Sequence, residues 1–216
     1  MKYDFVEIGC CHFDTCVDEY GLDSVGLLVE PIKEYYDVLP HSDTVKKECC
    51  AISDTEGKIN FTAAINPNPV YYTHDEVVEM THDPEKYHKY SREVFPVLIG
   101  GHSSVYTEKM DPGVHQFCKN ITVDSMTFKS LCAKHNITEI NHLKIDVEGV
   151  ESIILKDLLD LLESGSIHVN QIRFEYNHLS NLKELDDLID KFKLKGYVGQ
   201  FIKEGFNDDY YLTKDV

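Results

Sequence analysis

Apolar and polar residues alternate in several short stretches of the chain, and helical spacing follows most of these stretches. The clearest case is 143–154, LKIDVEGVESII. Leu143, Ile145 and Val147 alternate with polar residues, Gly149 permits a turn, and apolar residues then return at helical spacing. We predict a buried strand here that leads directly into a helix.

The same succession of strand and helix extends over most of the chain. The pattern predicts strands at 3–8, 25–29, 48–52, 58–62, 142–146 and 167–176. It predicts helices at 14–20, 32–39, 125–135, 150–163 and 182–195, the third of them with Ser125 or Asp124 as N-cap. Two closely spaced strands, 197–202 and 209–213, suggest an antiparallel hairpin. This order favours an α/β fold with a mixed sheet and helices on both faces.

The pattern is irregular from 63 to 120, where Pro, His and Tyr are frequent. Irregular segments of this length inside a compact domain are usually functional, so we predict a lid on the acceptor side of a binding site. A chain of 216 residues suits one domain, 1–216, with 63–120 as an insertion. Because the first strand starts almost at the first residue, we expect a module of a longer polypeptide.

Charge and cysteine content narrow the class of partner. Acidic residues outnumber basic ones 38 to 21, for a formal net charge of −17, which argues against a nucleic-acid partner. Seven cysteines without a C-x-x-C pair suggest a reducing, cytoplasmic compartment. No apolar run approaches the roughly 20 residues of a membrane span.

Acidic residues stand at the predicted ends of two strands. Asp146 and Glu148 close the strand before Gly149, and ligands of open α/β sheets bind at this edge. Asp146 interrupts an apolar pattern, so its charge needs a function, whereas Glu151 suits the first turn of a helix. Glu30 follows Gly9 by about 20 positions, the spacing of a carboxylate that binds ribose hydroxyls.

A family resemblance follows from five motifs in order along 5–177: Glu7-Ile-Gly9, Glu30-Pro31, Ala51-Ile-Ser-Asp54, the Ser-Ser turn at 103–104 and KIDVEGVE at 144–151. With them the chain resembles the FkbM family of S-adenosylmethionine-dependent methyltransferases. The first motif departs from the usual Asp-x-Gly-Ala-Asn-x-Gly, because cysteines follow Gly9 and Phe13 replaces the second glycine. A nicotinamide dehydrogenase is disfavoured, since residues 10–15 contain no glycine for a pyrophosphate.

The resemblance implies a Rossmann-like class I methyltransferase fold, with a seven-stranded mixed sheet that ends in an antiparallel hairpin. It implies S-adenosylmethionine as cofactor and a sugar or glycan hydroxyl as acceptor, for which a deoxyhexose such as rhamnose would fit. Family members also occur fused to glycosyltransferase modules. The cofactor-binding residues expected are Glu7, Gly9, Cys10, Phe13, Thr15, Glu30, Pro31, Ile32, Ala51, Ile52, Ser53, Asp146, Val147 and Glu148. The acceptor-binding residues expected are His102, Ser103, Ser104, Glu175 and Asn177.

Methyl transfer to a hydroxyl benefits from a general base. Asp146 is the first candidate and His102 the second, with Lys144 orienting Asp146 and Glu7 near the ammonium of the cofactor. Two alternatives stay open. In the first, Asp146, Glu175 and Asn177 hold a divalent ion that binds and acidifies the hydroxyl of a small molecule. In the second, the domain binds a nucleoside without catalysis.

Overall fold

The computed structural model describes residues 1–13, 15–66, 69–82, 103, 118–177, 179–204 and 207–214. The strands are β1 (Lys2–Ile8), β2 (Gly26–Val29), β3 (Val45–Glu48), β4 (Ala51–Ile52), β5 (Gly57–Ala64), β6 (Cys118–Met126), β7 (Glu139–Ile145), β8 (His168–Glu175), β9 (Tyr197–Glu204) and β10 (Asn207–Lys214). The helices are α1 (Cys16–Tyr20), α2 (Lys33–Val38), α3 (His74–His82), α4 (Phe128–Lys134), α5 (Glu151–Glu163) and α6 (Leu182–Leu194).

Seven strands form the main sheet in the order β3-β2-β1-β7-β8-β10-β9. The first five strands in this order are parallel, and β10 runs antiparallel to both β8 and β9. Glu7 pairs with Lys144 and Ile8 with Ile145, so β1 and β7 end at the same level. This arrangement confirms the predicted Rossmann-like methyltransferase fold with its terminal hairpin.

The sheet is covered by helices on both faces, as predicted. Because successive strand residues point to opposite faces, Val6 contributes to the core with α4, α5 and α6, whereas Phe5 packs with α1. Both side chains are fully buried. None of the helices in the described residues is long and apolar enough to cross a membrane.

The predicted third strand, 48–52, is wrong in its bounds, because these residues belong to two different strands. The third strand of the main sheet is β3, whose sequence VKKE buries only Val45 completely and therefore shows little hydrophobic pattern. Ala51 and Ile52 leave this sheet and pair with Ser125 and Met126 in a second, three-stranded sheet of order β4-β6-β5.

The predicted start of the 125–135 helix is also wrong. Asp124 and Ser125 lie in β6, which is held by antiparallel pairing with β5 from Gly57–Ser125 to Ala64–Cys118. The helix begins at Phe128, and the N-cap is Thr127, whose side chain accepts a hydrogen bond from the Ser130 amide. Long-range strand pairing thus overrides the local capping signal.

Parts of the predicted insertion 63–120 belong to regular elements. Residues 63–64 complete β5, residues 118–120 begin β6, and residues 74–82 form α3. His102 and Ser104, the predicted acceptor-binding residues of the Ser-Ser turn, lie outside the described residues.

Candidate active site

The carboxyl ends of the parallel strands bring the predicted site residues to one edge of the main sheet. Gly9 follows β1, Glu30 follows β2, Asp146 follows β7, and Glu175 ends β8. Because these four strands are adjacent and parallel, their ends form one crevice, the usual ligand site of open α/β sheets.

Gly9 places the loop after β1 directly against the end of β7. Its amide donates to the Val29 carbonyl at 2.9 Å, and the Asp146 amide donates to the Ile8 carbonyl at 2.9 Å. Gly9 has a φ of +86°, and a Cβ at this position would lie 1.7 Å from the Asp146 carbonyl oxygen. The contact therefore requires glycine, and it joins the predicted cofactor loop to the predicted base.

Glu7 lies beneath this loop and is fully buried. One carboxylate oxygen is 2.7 Å from Lys144 Nζ, and the other accepts a hydrogen bond from the Cys16 amide at 2.7 Å. Glu7 thus ties β1 to β7 and to the start of α1. Lys144, which is predicted to orient Asp146, forms this ion pair with Glu7.

Glu30 closes the crevice at the end of β2 and is 3% exposed. Its two carboxylate oxygens accept hydrogen bonds from the amides of Cys11 and Ile32, both at 2.8 Å. Burial raises the pKa of Glu30 to about 8, although both hydrogen bonds oppose this shift. A carboxyl oxygen has more than one lone pair, so Glu30 can accept a further hydrogen bond from a ribose hydroxyl. In the protonated form that its raised pKa favours, it can also donate one.

The other predicted cofactor-binding residues line the same loops or lie just behind them. Cys10 is buried with its thiol 3.5 Å from the carbonyl oxygens of Glu7 and Val29. Ile32 and Ala51 share an apolar cluster against which Cys11 packs. Pro31 lies between Glu30 and Ile32 and is half-buried. Ser53 and Ile52 are buried in the second sheet, where Ser53 Oγ is 2.8 Å from Ser125 Oγ.

Three carboxylates meet where β7 and β8 end. Oxygens of Asp146, Glu148 and Glu175 all lie within 4.8 Å of one another. Burial, followed by the charges of Asp146 and Glu151, holds the pKa of Glu148 well above its usual range. Burial and the charges of Glu148 and Asp146 raise the pKa of Glu175 to about 11. These shifts favour the protonated forms of Glu148 and Glu175.

Backbone strain accompanies this cluster. Glu148 has a φ of +55° and Cys11, on the facing loop, a φ of +50°. Side chains other than glycine are uncommon in this region, and such residues concentrate at functional sites.

Glu151 has a larger part in the site than the predicted helix start. It is fully buried, and one oxygen accepts hydrogen bonds from the amides of Val147 and Gly149, both at 3.2 Å. The other oxygen accepts from Gly149 at 3.1 Å and from the Ser180 hydroxyl. Glu151 therefore fixes the loop that carries Glu148, and no local sequence signal identifies Ser180 as its partner.

The described acceptor-side residues have contacts of their own. Ser103 Oγ accepts a hydrogen bond from the Ala64 amide at 3.0 Å, at the end of β5. The Asn177 side-chain oxygen accepts from the Leu179 amide at 2.8 Å. Glu175 is the last residue of β8 and Asn177 follows the strand. The carboxylate cluster also includes Glu148, which is not in the predicted metal set.

The loop after β1, of which the structure describes residues 9–13 and 15, is called the glycine loop or cofactor loop below. The sequence does not predict its contacts with residues 70–74. Residues 70–74, which we call the tether, lie against the outer side of the loop. Phe13 and Tyr72 form a parallel bridge, and Tyr71 Oη is 2.8 Å from Thr15 Oγ1. Thr15, a predicted cofactor-binding residue, is the N-cap of α1 and is buried.

Comparison with known proteins identifies one family. A family model described as "Methyltransferase FkbM domain" matches residues 12–198, most of the chain. No match is found among the curated proteins or among the solved structures.

Proposed function

The chain belongs to the FkbM methyltransferase family, and from this premise we propose that it is an S-adenosylmethionine-dependent O-methyltransferase of sugar or glycan hydroxyls. The observation that carries the proposal is the contact between Gly9 and the Asp146 carbonyl oxygen. It brings a glycine loop suited to the cofactor within reach of an acidic group suited to the acceptor.

The crevice fits a nucleoside that carries no phosphate. Glu30 offers carboxyl oxygens to ribose hydroxyls, and the partly exposed Cys11, which packs against the buried Ile32 and Ala51, offers an apolar surface to a purine ring. The cofactor supplies an electrophilic methyl group on a sulfonium sulfur when bound. The chain's high acidic content is compatible with that cationic centre.

Asp146 is the proposed general base for the acceptor hydroxyl. Protonated Glu148 and Glu175, whose carboxyl oxygens lie within 4.8 Å of its carboxylate, can donate hydrogen bonds in the acceptor site. The buried pair of Glu7 and Lys144 fixes the strands on which both sides of the crevice are built. A positioned base of this kind contributes a factor of about 10² to 10⁴ to the rate.

Transfer of a radiolabelled methyl group to a panel of glycans tests this function. We expect Asp146→Asn to lower the rate by about 10² to 10⁴, a much larger factor than its effect on S-adenosylhomocysteine affinity. Asp124→Asn, an exposed carboxylate on β6, is the control and should keep wild-type activity. Wild-type turnover by Asp146→Asn would exclude the base assignment. If the protein binds S-adenosylhomocysteine but transfers no methyl group to any acceptor, a non-catalytic module is favoured instead.

The carboxylate cluster favours a second candidate, a metal-assisted O-methyltransferase of a small molecule. Asp146, Glu148 and Glu175 offer the oxygen ligands that magnesium prefers. A divalent ion would displace the protons that the raised pKa values of Glu148 and Glu175 favour, and it would acidify the acceptor hydroxyl. Turnover after exhaustive chelation, with and without added magnesium, separates the two mechanisms. Full activity in chelator excludes the metal, and activity restored only by magnesium excludes the simple general base.

A further inference from the structure

The glycine loop is held from two sides. On the side of the main sheet, Gly9 contacts Val29 and Asp146, the Cys11 amide donates to Glu30, and the Cys16 amide donates to Glu7. On the outer side, every contact described below comes from the tether, residues 70–74. The tether belongs to the insertion that the sequence assigns to the acceptor side.

The tether binds the loop through both backbone and side chains. The Tyr72 amide donates to the His12 carbonyl at 3.1 Å, and His12 Nδ1 lies 2.8 Å from the Val70 carbonyl oxygen. His12 is fully buried, and its ring lies 6.1 Å from that of Tyr72 and 4.6 Å from that of Tyr35. These contacts fix the backbone of the loop at its middle.

Tyr71 fixes the end of the loop. Its hydroxyl is 2.8 Å from Thr15 Oγ1, 3.4 Å from the Thr15 amide and 3.0 Å from an Asp18 carboxylate oxygen. The other Asp18 oxygen accepts from the His74 amide at 2.8 Å. Thr15 has no side-chain capping bond within α1, so Tyr71 is the defined partner that orients it.

We propose that the tether positions the cofactor loop, with Tyr71 as the positioning residue, so that residues 70–74 of the insertion set the affinity for the cofactor. The inference rests on the proposed function, because it assigns the loop to S-adenosylmethionine. Tyr71 acts through Thr15 and the backbone of 11–15 and needs no contact with the cofactor itself. The expected signature is a loss of cofactor affinity with little change in the maximal rate, since the groups at Asp146 are not displaced.

Calorimetric titration of the full chain with S-adenosylhomocysteine tests the proposal. Tyr71→Phe removes one hydroxyl and three contacts, and we expect the dissociation constant to rise on the order of tenfold. In steady-state assays, KM for S-adenosylmethionine should rise similarly while kcat stays within about twofold. Tyr197→Phe is the matched control: its buried hydroxyl donates to the Val169 carbonyl at 2.6 Å, near the start of β8 and far from the crevice.

A second variant guards against a simple folding defect. Asp18 lies on the exposed side of α1 and accepts a hydrogen bond from the Tyr71 hydroxyl, and Asp18→Ala removes this bond. It should weaken binding in the same way, and the double variant should be less than additive. Hydrogen exchange of residues 9–17 adds a readout that needs no ligand, and protection there should fall in Tyr71→Phe but not in Tyr197→Phe.

The outcomes separate the two proposals. If the wild type binds S-adenosylhomocysteine and Tyr71→Phe binds it within twofold, the tether proposal is overturned and the methyltransferase function stands. If the wild type binds none, the cofactor assignment fails, and the tether proposal fails with it. Equal losses in Tyr71→Phe and Tyr197→Phe would show a general stability effect and also overturn it.

Discussion

Acidic residues serve opposite purposes in the two halves of the crevice. In the cofactor half, each oxygen of Glu7 and Glu30 accepts a hydrogen bond from a backbone amide or from Lys144. In the acceptor half, Asp146, Glu148 and Glu175 crowd together, and burial, followed by the charges of neighbouring carboxylates, raises the pKa values of Glu148 and Glu175.

This difference distinguishes carboxylates that fix the backbone of a loop from carboxyl groups that can take part in the reaction. A carboxylate whose oxygens bind backbone amides fixes a loop, and its removal costs stability. Carboxylates that crowd one another destabilise their charged forms and gain affinity for a proton or a cation. The cofactor half is therefore preorganised by amide and ammonium partners, while the acceptor half holds carboxyl groups whose charged forms disfavour one another. The predictions below test this contrast.

The largest effect is expected in the cofactor half, from Lys144→Met. It leaves the fully buried Glu7 carboxylate without its ammonium partner, and loss of one member of a buried pair costs about 3–5 kcal/mol. The Cys16 amide still donates to Glu7, so we expect the lower end, about 3 kcal/mol. Urea unfolding followed by circular dichroism measures the loss.

Two companion variants make this result specific. Glu7→Gln combined with Lys144→Met should recover part of the stability, because no buried charge remains. Lys58→Met breaks an ion pair with Asp124 in which both side chains are 67% exposed, and it should cost less than about 1 kcal/mol. Equal losses for Lys144→Met and Lys58→Met would contradict the structural role of Glu7.

A smaller loss is expected where the two halves touch. Gly9→Ala places a Cβ 1.7 Å from the Asp146 carbonyl oxygen at a φ of +86°, so the backbone must shift, at a cost of about 2 kcal/mol. Gly165→Ala is the control, because its φ is +68° but no atom lies within 4 Å of the added Cβ. It should cost only about 1 kcal/mol. Equal thermal stability of the two variants would show that the close approach is unimportant.

The sequence predicts the strand ends of this site well, because β1, β2 and β7 are buried and show clear hydrophobic patterns. Their parallel pairing then forces Gly9, Glu30 and Asp146 to one edge. Strands with weak patterns are predicted poorly. The edge strand β3 buries only Val45 completely, and β6 depends on pairing with β5, which is distant in sequence.

The contacts missed within the site are long-range in the same sense. Glu151 meets Ser180 across 29 positions, and Tyr71 meets Thr15 across 56. Neither pair leaves a periodic signal, since only the tertiary fold brings the side chains together. The sequence predicts only part of the carboxylate cluster. Asp146 and Glu175 are predicted because they lie at the ends of adjacent strands, whereas Glu148 joins them through the left-handed backbone conformation of its loop.

The smallest effect, and one of opposite sign, is expected in the acceptor half from Glu175→Gln. The folded-state pKa of Glu175, about 11, lies above the ordinary value of 4.5. The folded state therefore binds the proton more tightly, so this group's contribution to stability is complete below about pH 4.5 and declines as the pH rises toward 11. Glutamine does not titrate, so the variant should match the wild type near pH 4 and exceed its stability by about 1 kcal/mol near pH 8.

Urea unfolding at several pH values measures this difference directly. Glu7→Gln is the counterpart from the cofactor half, and it should destabilise the protein near pH 8, because Lys144 loses its charged partner. If the two substitutions change the free energy of unfolding near pH 8 in opposite directions, the contrast between loop-fixing and reactive carboxyl groups is established. If Glu175→Gln instead destabilises the protein across the whole range, Glu175 is held by compensating contacts, and the acceptor half is as preorganised as the cofactor half.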